Sequence, residues 1–519
     1  MIKRLIATIL VLTLTGSVLY YAYGDYNKQI EESEVAEVSN SNVEVVPDDT
    51  IVIWYTDDSL TEYINDVSLS YRNSSGMKVR AELVDGVGYL EKINDMSISD
   101  TPEIPAPDLY ITTHDNLMKA YLAGLASEVS DSEGLLTSSE FPDTSLHAVR
   151  CNNKYVAYPL YYETNFFLYN KTYMASIAQN RIESESDMEE AKESEEELNA
   201  KLENGEKPDA GDATEEEILE AEMADEDEDP MGEEDSNASA EVLEKLATMI
   251  PSTIADVITF ANNYEAPDAV EAVFKWDISD IFYNYFFVGN YMEVGGEDGD
   301  NNAIFNLYNQ QAVQCLSTYQ SMNQYFSIDS AVDNYDNILQ EFIDGKLVFT
   351  VATTDAIAKI TEAKAEGKFD FDYGITVLPD MSDLLKARGL SVTDAVVVNG
   401  YSSKKQAANE FASFLSYKGA EALYSKTGKL ACKKGVKYEN DEIYNVLTEY
   451  EKSMPLPKMI ETSNFWLQLE IALSQIWNGE DPDTVLKDLS DKIGGQIDEI
   501  TYSIPVQESI EIGGAGLYK

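Results

Sequence analysis

Single carboxylates that lie within or directly after apolar segments are the residues of this sequence best suited to recognition chemistry. They are Glu163 in AYPLYYETNFFLYNK, Asp58 after TIVIWY and Asp115 after PDLYI. β-Branched and aromatic residues favour strands, and an ionised carboxylate in a buried strand needs a hydrogen-bonding partner. Glu163 therefore either forms a structural ion pair or accepts hydrogen bonds from a polar ligand in a cleft. Each aspartate either caps a helix or faces the same ligand.

Residues for covalent or metal catalysis are sparse. Cys151, Cys315 and Cys432 are far apart, and His114 and His147 are the two histidines of the sequence. Three widely spaced cysteines match neither a zinc site nor a disulfide framework. The GxSxG, HExxH and P-loop motifs are also absent from the sequence. We therefore predict a binding protein rather than an enzyme, with no metal and no cofactor.

The composition indicates a folded and strongly acidic protein. Of 519 residues, 44% are hydrophobic and 10% aromatic, which suits two or more domains with a large core. Asp and Glu number 95 against 36 Lys and Arg, so the formal net charge is -59. Nucleic acids and anionic lipid headgroups carry the same sign and are disfavoured as partners. Any contact with a membrane is then expected through a hydrophobic segment alone.

The first residues have the pattern of an export signal. Lys3 and Arg4 precede an apolar run over residues 5–23, and Gly24 follows the run. Positive charge before such a run directs the following chain across the membrane. We predict that residues 1–24 are a signal peptide or a retained membrane anchor, followed by an acidic linker at residues 25–49. The body is then extracytoplasmic, either secreted or tethered to the outer face of the cell membrane.

Strand and helix patterns alternate along the first part of the body. Residues 50–55, 77–83 and 107–111 have the composition of strands, and the segments between and after them carry apolar residues at helical spacing. This alternation is typical of an α/β layer with a parallel sheet. Ligands of such sheets bind at the loops beyond the carboxyl ends of the strands. Asp58 and Asp115 would lie there.

Several segments resemble one protein family. They are WYTDD at 54–58, PDLYITTHDNLMKAYLAGL at 107–125, KYVAYPLYYETNFFLYNK at 154–171, FIDGKLVFTVATTDAIAKI at 342–360, YGITVLP at 373–379, KKQAANEFASFLSYKGAEALY at 404–424 and NFWLQLEIALSQIWNGE at 464–480. In this order they resemble the bacterial family 1 extracellular solute-binding proteins of ABC importers, the group of the maltose- and maltodextrin-binding proteins. The resemblance implies an α/β periplasmic-binding-protein-like fold of type II, with two lobes and a ligand cleft between them.

The resemblance also divides the chain into lobes. The expected parts are an N-terminal lobe at 50–162 and 374–434, a C-terminal lobe at 163–373 and 435–519, and an acidic insertion at 176–245 within the C-terminal lobe. Crossings between the lobes are expected near residues 162–165, 373–379 and 433–438. Within the insertion, Asp and Glu make up about half of residues 183–235, so we expect an exposed segment that is partly helical or disordered.

The resemblance further implies a set of ligand-binding residues. On the first lobe these are Asp58, Asp115 and Glu163, and on the second lobe Trp466, Asp355, Glu470, Trp276, Asp277 and Tyr283. Trp466 matches an aromatic platform of the maltose-binding group, or else it belongs to the core. Asp355 stands where that group has a stacking tryptophan, and Glu470 stands in place of a basic contact. The expected pocket is more acidic and less aromatic than a maltodextrin pocket, which suits a smaller or amine-bearing ligand.

The resulting functional prediction is an extracytoplasmic receptor of an ABC transporter. It would be a monomer that closes on a small solute, with a sugar or oligosaccharide favoured, and presents it to the membrane permease subunits. Two alternatives stay open at the level of the sequence. One is a surface-anchored interaction protein that acts through its acidic insertion, and the other is a receptor for a cationic solute such as a polyamine.

Overall fold

The computed structural model describes residues 46–99, 104–203, 239–459 and 464–503, and for residues 193–203 and 498–503 it describes the backbone alone. The predicted signal peptide or anchor, and most of the predicted linker, lie outside the described residues. Within the described ranges, no helix is both long and apolar enough to cross a membrane.

The described elements alternate between strands and helices, as the sequence pattern predicts. The strands are β1 (Thr50–Tyr55), β2 (Lys78–Leu83), β3 (Leu109–Thr113), β4 (Arg150–Cys151), β5 (Lys154–Tyr155), β6 (Tyr158–Asn170), β7 (Ala272–Lys275), β8 (Glu293–Val294), β9 (Phe305–Asn306), β10 (Leu347–Thr353), β11 (Tyr373–Thr376), β12 (Leu390–Val398), β13 (Leu430–Ala431) and β14 (Met454–Pro455). The helices are α1 (Thr61–Ser75), α2 (Tyr89–Ile98), α3 (Leu117–Leu122), α4 (Asp143–Ala148), α5 (Lys171–Glu203), α6 (Ala240–Met249), α7 (Ile254–Asn263), α8 (Ile281–Asn284), α9 (Gln310–Met322), α10 (Tyr335–Ile343), α11 (Asp355–Ala365), α12 (Lys405–Tyr417), α13 (Ala420–Thr427), α14 (Ile443–Lys452), α15 (Phe465–Trp477) and α16 (Pro482–Ser503).

One sheet connects the two lobes, in the strand order β2-β1-β3-β12-β6-β10-β7. In the N-terminal (first) lobe, β1 pairs in parallel with β2 and β3, and all six residues of β1 are buried. This arrangement confirms the predicted parallel α/β layer. Because β1 and β3 are parallel, their carboxyl ends and the turns that follow them lie at the same edge of the sheet.

Strand β6 passes from the first lobe to the C-terminal (second) lobe. Its first half pairs with β12 and β13, with Thr164 opposite Ser391 and Tyr162 opposite Leu430. Its second half pairs with β10 and β11, starting with Asn165 opposite Thr353. The change of partners therefore occurs between Thr164 and Asn165. Every residue of β6 except Glu163 is buried, which accounts for the apolar and aromatic sequence of this strand.

The return to the first lobe lies further along the chain than the sequence suggests. β11 still pairs with the second-lobe half of β6, and Leu378, Met381 and Ala387 pack in the second-lobe core. The chain re-enters the first lobe only at β12, from Leu390 onward. Residues 374–389, which sequence reasoning assigned to the N-terminal lobe, thus belong to the second lobe, because their pairing and packing partners are there.

Helix α14 packs against β6, the strand that crosses between the lobes. The ring of Tyr450 stacks on Tyr162 of β6 at 3.8 Å and an interplanar angle of 12°. Near the same helix, Glu442 accepts a hydrogen bond from the backbone N–H of Ile375 (2.8 Å), and Glu449 accepts one from Leu378 (3.0 Å). Because α14 contacts both lobes, the chain makes its last crossing between the lobes after this helix, at β14. The expected position of this crossing was residues 433–438.

A polar cluster joins the lobes next to this crossing. Asp298, in the loop between β8 and β9, accepts hydrogen bonds from Arg150 (Nε to Oδ2, 2.8 Å) and lies 2.7 Å from Nδ1 of His147. The ammonium of Lys458 donates to the carbonyl oxygen of His147 at 2.8 Å, and Asp300 accepts the backbone N–H of Asn152. This interlobe ion cluster ties residues 147–152 of the first lobe to the second lobe.

The acidic insertion begins as a continuation of lobe structure. α5 starts at Lys171, directly after β6, and Met174 and Ala178 are buried in the second-lobe core together with Leu246 of α6. Beyond the core, Lys245 binds Glu185 at 2.6 Å, so α6 runs beside α5. The described flanks are helical and mostly exposed, whereas residues 204–238 lie outside the described residues. No structural boundary marks the predicted start at residue 176, because α5 is continuous there.

Candidate functional site

The turn after β1 places Asp57 and Asp58 at the carboxyl edge of the first-lobe sheet, which we call the first-lobe wall. Asp57 caps the short helix Asp58–Leu60 by accepting the backbone N–H of Ser59, and it forms an ion pair with Lys429 at 2.8 Å. The ion pair and this hydrogen bond outweigh desolvation and lower the pKa of Asp57. Asp58 is exposed, and its Oδ1 accepts a hydrogen bond from Oγ1 of Thr61 at 3.1 Å. Asp58 thus has lone pairs available to a ligand.

The turn after β3 is held by a buried histidine. Nδ1 of His114 accepts the backbone N–H of Thr393 (3.0 Å), so Nε2 is left to donate to the carbonyl oxygen of Leu456 (3.0 Å). Burial, together with the nearby Lys458, lowers the pKa of His114 to about 4. The imidazole is therefore neutral and structural, and it positions Asp115, the next residue, with its carboxylate exposed at the sheet edge.

The centre of this wall is a cross-strand group at the crossing strand. Strand pairing sets Asp394 of β12 opposite Tyr161, and the pairing of β13 places Lys429 next to Glu163. The ammonium of Lys429 lies 4.7 Å from the centroid of the Tyr161 ring. Residues 161 and 163 share a face of β6, so these four side chains cluster on one side of the sheet.

The two carboxyl groups of this cluster are hard to ionise together. Burial raises the pKa of Asp394 to about 7, and the charge of Glu163 adds to the effect. Glu163 reaches solvent in the cleft, but the surrounding protein removes part of its hydration and raises its pKa. Lys429 opposes the rise at Glu163, whereas Asp355 of the second lobe contributes to it. The latter effect places Asp355 within electrostatic range of Glu163.

A cavity of about 330 Å³ lies at this edge of the first lobe. It is lined by the ends of β1 and β3, the start of α2 and Asp394. Gly88 (φ +63°) begins α2 in a left-handed conformation, so a side chain there would be strained. Lys119, also in the lining, is paired with Glu91 at 2.7 Å. The volume is in the range of small-ligand pockets.

The second-lobe wall is built around Asp355, the first residue of α11. Its Oδ1 accepts a hydrogen bond from the hydroxyl of Tyr335 at 2.6 Å, and its Oδ2 pairs with Lys359 at 2.9 Å. Desolvation opposes ionisation, but these bonds and one from Thr353 outweigh it and lower the pKa of Asp355. The ring of Tyr283 stacks on Tyr335 at 4.8 Å, so Tyr283 and Asp355 belong to one cluster.

Trp466 and Glu470 lie one helical turn apart on α15, beside α8. The Trp466 ring is half-buried and packs edge-on against Tyr285, with centroids 5.6 Å apart. Burial and the neighbouring Asp280 raise the pKa of Glu470, and the backbone of Ile281 is hydrogen-bonded to it. Asp280 itself is exposed and caps α8. Residues spaced by four face the same side of a helix, so Trp466 and Glu470 form a second polar and aromatic pair.

Two predicted site residues serve the interior of the second lobe instead. Trp276 is 0% exposed, stacks on Phe274 at 4.8 Å and donates its indole N–H to Asn284 at 2.9 Å. Asp277 is 6% exposed, and its two oxygens accept hydrogen bonds from Ser279 and from the backbone N–H of Tyr335. Their polar atoms and ring faces are already used, so we remove both from the candidate ligand contacts.

Sequence reasoning missed Asp394, Lys429 and Tyr335. For Asp394 a signal was present, because a single carboxylate stands in the β-branched run LSVTDAVVV, just as Glu163 stands in an aromatic run. Lys429 and Tyr335 carry no such signal, since both lie in ordinary polar segments far along the chain from their partners. Within the described ranges, no three His, Cys, Asp or Glu side chains are grouped to hold a metal ion, and the three cysteines are buried and free.

Comparisons with known proteins agree with this architecture. The family model for bacterial extracellular solute-binding proteins matches residues 71–445. The maltooligosaccharide ABC transporter solute-binding lipoprotein of Streptococcus pneumoniae strain R6 is 21% identical over 426 residues, covering 79% of this chain and 80% of the relative.

Solved structures show the same two-lobed fold. A Staphylococcus aureus extracellular solute-binding protein in complex with maltose aligns at a TM-score of 0.64 and 18% identity, covering 88% of this chain and 100% of the other. A Streptococcus pneumoniae protein in complex with maltopentaose aligns at 0.56 and 19%, covering 87% and 100%. Because the family model spans well over half of the sequence, the chain belongs to the bacterial extracellular solute-binding proteins.

Proposed function

We propose that this protein is an extracytoplasmic receptor that captures a saccharide between its lobes and delivers it to the permease of an ABC importer. The observation that carries the proposal is the arrangement of polar and aromatic side chains on two facing walls at one crossing strand. Asp58, Asp115 and Glu163 are exposed on the first lobe, and Asp355 of the second lobe lies within electrostatic range of Glu163. We propose that Trp466 completes the second wall. The maltooligosaccharide-binding names of the relatives favour a saccharide as the ligand class.

The chemistry of these side chains suits a polyol. Carboxylate oxygens accept hydrogen bonds from adjacent hydroxyl groups, and an indole face covers the apolar C–H face of a sugar ring. Glu163 and Asp58 are exposed, and Trp466 is partly exposed. Each wall alone offers only part of such a contact set.

Bending between the two lobes would capture the ligand. A ligand that contacts both lobes binds the closed form better than the open form and shifts the equilibrium toward closure. The crossing at Thr164 and Asn165 and the later return at β12 are the segments that would bend. We further propose that the receptor acts as a monomer and contacts the membrane only through its N-terminal hydrophobic residues.

Titration calorimetry of the full chain with maltooligosaccharides of increasing length tests this proposal. We expect binding of at least one length, and a loss of about tenfold or more in affinity for Glu163→Ala and for Trp466→Ala. Tyr401→Ala is the matched control, because Tyr401 is half-exposed beyond β12, at the opposite edge of the sheet. Equal losses in all three variants, or no heat from any saccharide with a folded protein, would contradict the proposal.

A further inference from the structure

Helix α14 lies on the face of the crossing strand that is turned away from the candidate site. Tyr161 and Glu163 of β6 face the candidate site, with Lys429 over the ring of Tyr161. Successive side chains of a strand point to opposite faces, so Tyr162 faces the other side of the sheet. Tyr450 of α14 stacks on Tyr162 at 3.8 Å and therefore marks this other side.

The first-lobe half of the interlobe ion cluster is attached to this side. The hydroxyl of Thr144, in α4, donates a hydrogen bond to the carbonyl oxygen of Glu451 in α14 at 2.9 Å. His147 belongs to the same short helix, and Arg150 follows it as the first residue of β4. The interlobe ion cluster thus lies on the α14 side of the crossing strands, opposite the candidate site.

The bonds of the cluster hold the two lobes together through poorly exposed charges. The side chain of Asp298 is 13% exposed and binds Nε and Nη2 of Arg150, both at 2.8 Å. Lys458 is 2% exposed and donates its ammonium protons to the carbonyl oxygens of His147 and Ala148 at 2.8 and 3.1 Å. Separation of such groups is costly, because it leaves poorly hydrated charges without partners.

Rotation of the lobes about the crossing strands moves the two faces of these strands in opposite directions. A rotation that brings Asp355 closer to Glu163 narrows the candidate site and widens the α14 side. Asp298 and Lys458 move with the second lobe, whereas Arg150 moves with the first. Their bonds must therefore lengthen or break as the lobes close on a ligand.

We propose that the interlobe ion cluster opposes closure of the lobes and thereby sets the affinity of the receptor for its saccharide. The proposal rests on the proposed saccharide receptor and names a regulatory device of that same site. When the closed form is rarely populated, the apparent affinity falls in proportion to its population. Weakening the cluster should raise this population and tighten binding, although the cluster and the candidate site lie on opposite faces of the strands.

Variants that remove one charge from the cluster test the proposal. We expect Asp298→Asn and Arg150→Gln each to bind the maltooligosaccharide preferred by the parent about fivefold tighter or more in titration calorimetry of the full chain. The double variant should gain about as much as either single variant, because both changes remove the same interaction.

Glu341→Gln is the matched control. Glu341 pairs with Lys275 at 3.0 Å, and both residues belong to the second lobe, so closure leaves this ion pair intact. The control should bind the saccharide within about twofold of the parent. A gain in affinity as large as that of the cluster variants would show a general effect of lost ion pairs and would overturn the proposal.

Equal or weaker binding by both single cluster variants, with circular dichroism like that of the parent, would also overturn the proposal. In that case this inference fails while the receptor proposal stands. If no saccharide binds the parent, the receptor proposal fails, and small-angle X-ray scattering without ligand decides the role of the cluster. Asp298→Asn should then have a smaller radius of gyration than the parent, and an equal radius would overturn the inference.

Discussion

Replacement of Asp298 by Asn should weaken the interlobe ion cluster without removing its hydrogen-bonding shape. The carboxylate is only 13% exposed, lies 2.8 Å from two nitrogens of Arg150 and 2.7 Å from Nδ1 of His147. Desolvation opposes ionisation, but the hydrogen bonds from His147 and Arg150 and the charge of Arg150 outweigh it and lower the pKa of Asp298 to about 2. The charge on Asp298 therefore stabilises the folded state.

The size of the effect follows from the shift in pKa. The drop from 3.8 to about 2 corresponds to about 2.4 kcal/mol of unfolding free energy at neutral pH. Solvent screens part of this cluster, so we expect Asp298→Asn to cost about 1–2 kcal/mol. Since the folded-state pKa is depressed, the contribution is complete well above 3.8 and disappears as the pH falls toward 2. About half of it should be gone by about pH 3.

Urea denaturation of both proteins at neutral pH and near pH 3 measures this difference. Asp66→Asn is the matched control, because Asp66 pairs with Lys426 at 2.9 Å but is 52% exposed, and exposed pairs contribute at most about 1 kcal/mol. The reasoning is refuted if Asp298→Asn and the parent have equal unfolding free energies at neutral pH. It is also refuted if the deficit is as large near pH 3 as at neutral pH.

Three further predictions concern the cleft and the insertion. Trp276→Ala should lower the unfolding free energy by about 3–5 kcal/mol, whereas Trp466→Ala should mainly lower ligand affinity. Denaturation and calorimetry of both variants will distinguish these two effects. Asp394→Asn should raise the unfolding free energy by roughly 1–3 kcal/mol above pH 7. The folded-state pKa of Asp394 is raised to about 7, so its ionisation destabilises the folded state increasingly as the pH rises from 3.8 to 7. Equal stability of the variant and the parent at pH 8 would contradict this prediction. Replacing residues 193–238 by a short Gly-Ser linker should leave saccharide affinity within about twofold, since α5 is anchored in the core before this segment and α6 after it. Loss of binding would show that the insertion serves the cleft.

The sequence by itself determined the fold class, and it predicts the first-lobe half of the candidate site. Alternating strands and helices predict a parallel sheet, and the edge at which parallel strands end predicts where Asp58 and Asp115 lie. Glu163 stands out because a carboxylate in an aromatic strand is costly unless it faces a partner or a ligand. These conclusions need only local patterns and one general rule about sheets.

Only the tertiary structure decided which distant side chains become neighbours at the site. Lys429 pairs with Asp57 and lies over the ring of Tyr161 because β13 pairs with β6, although these segments are more than two hundred residues apart. The same folding buries Trp276 and leaves Trp466 half-exposed, although both tryptophans stand in apolar surroundings in the sequence. Local patterns report which residues prefer burial, whereas strand order and lobe packing determine which neighbour each residue finds, and these depend on contacts between residues distant in the chain.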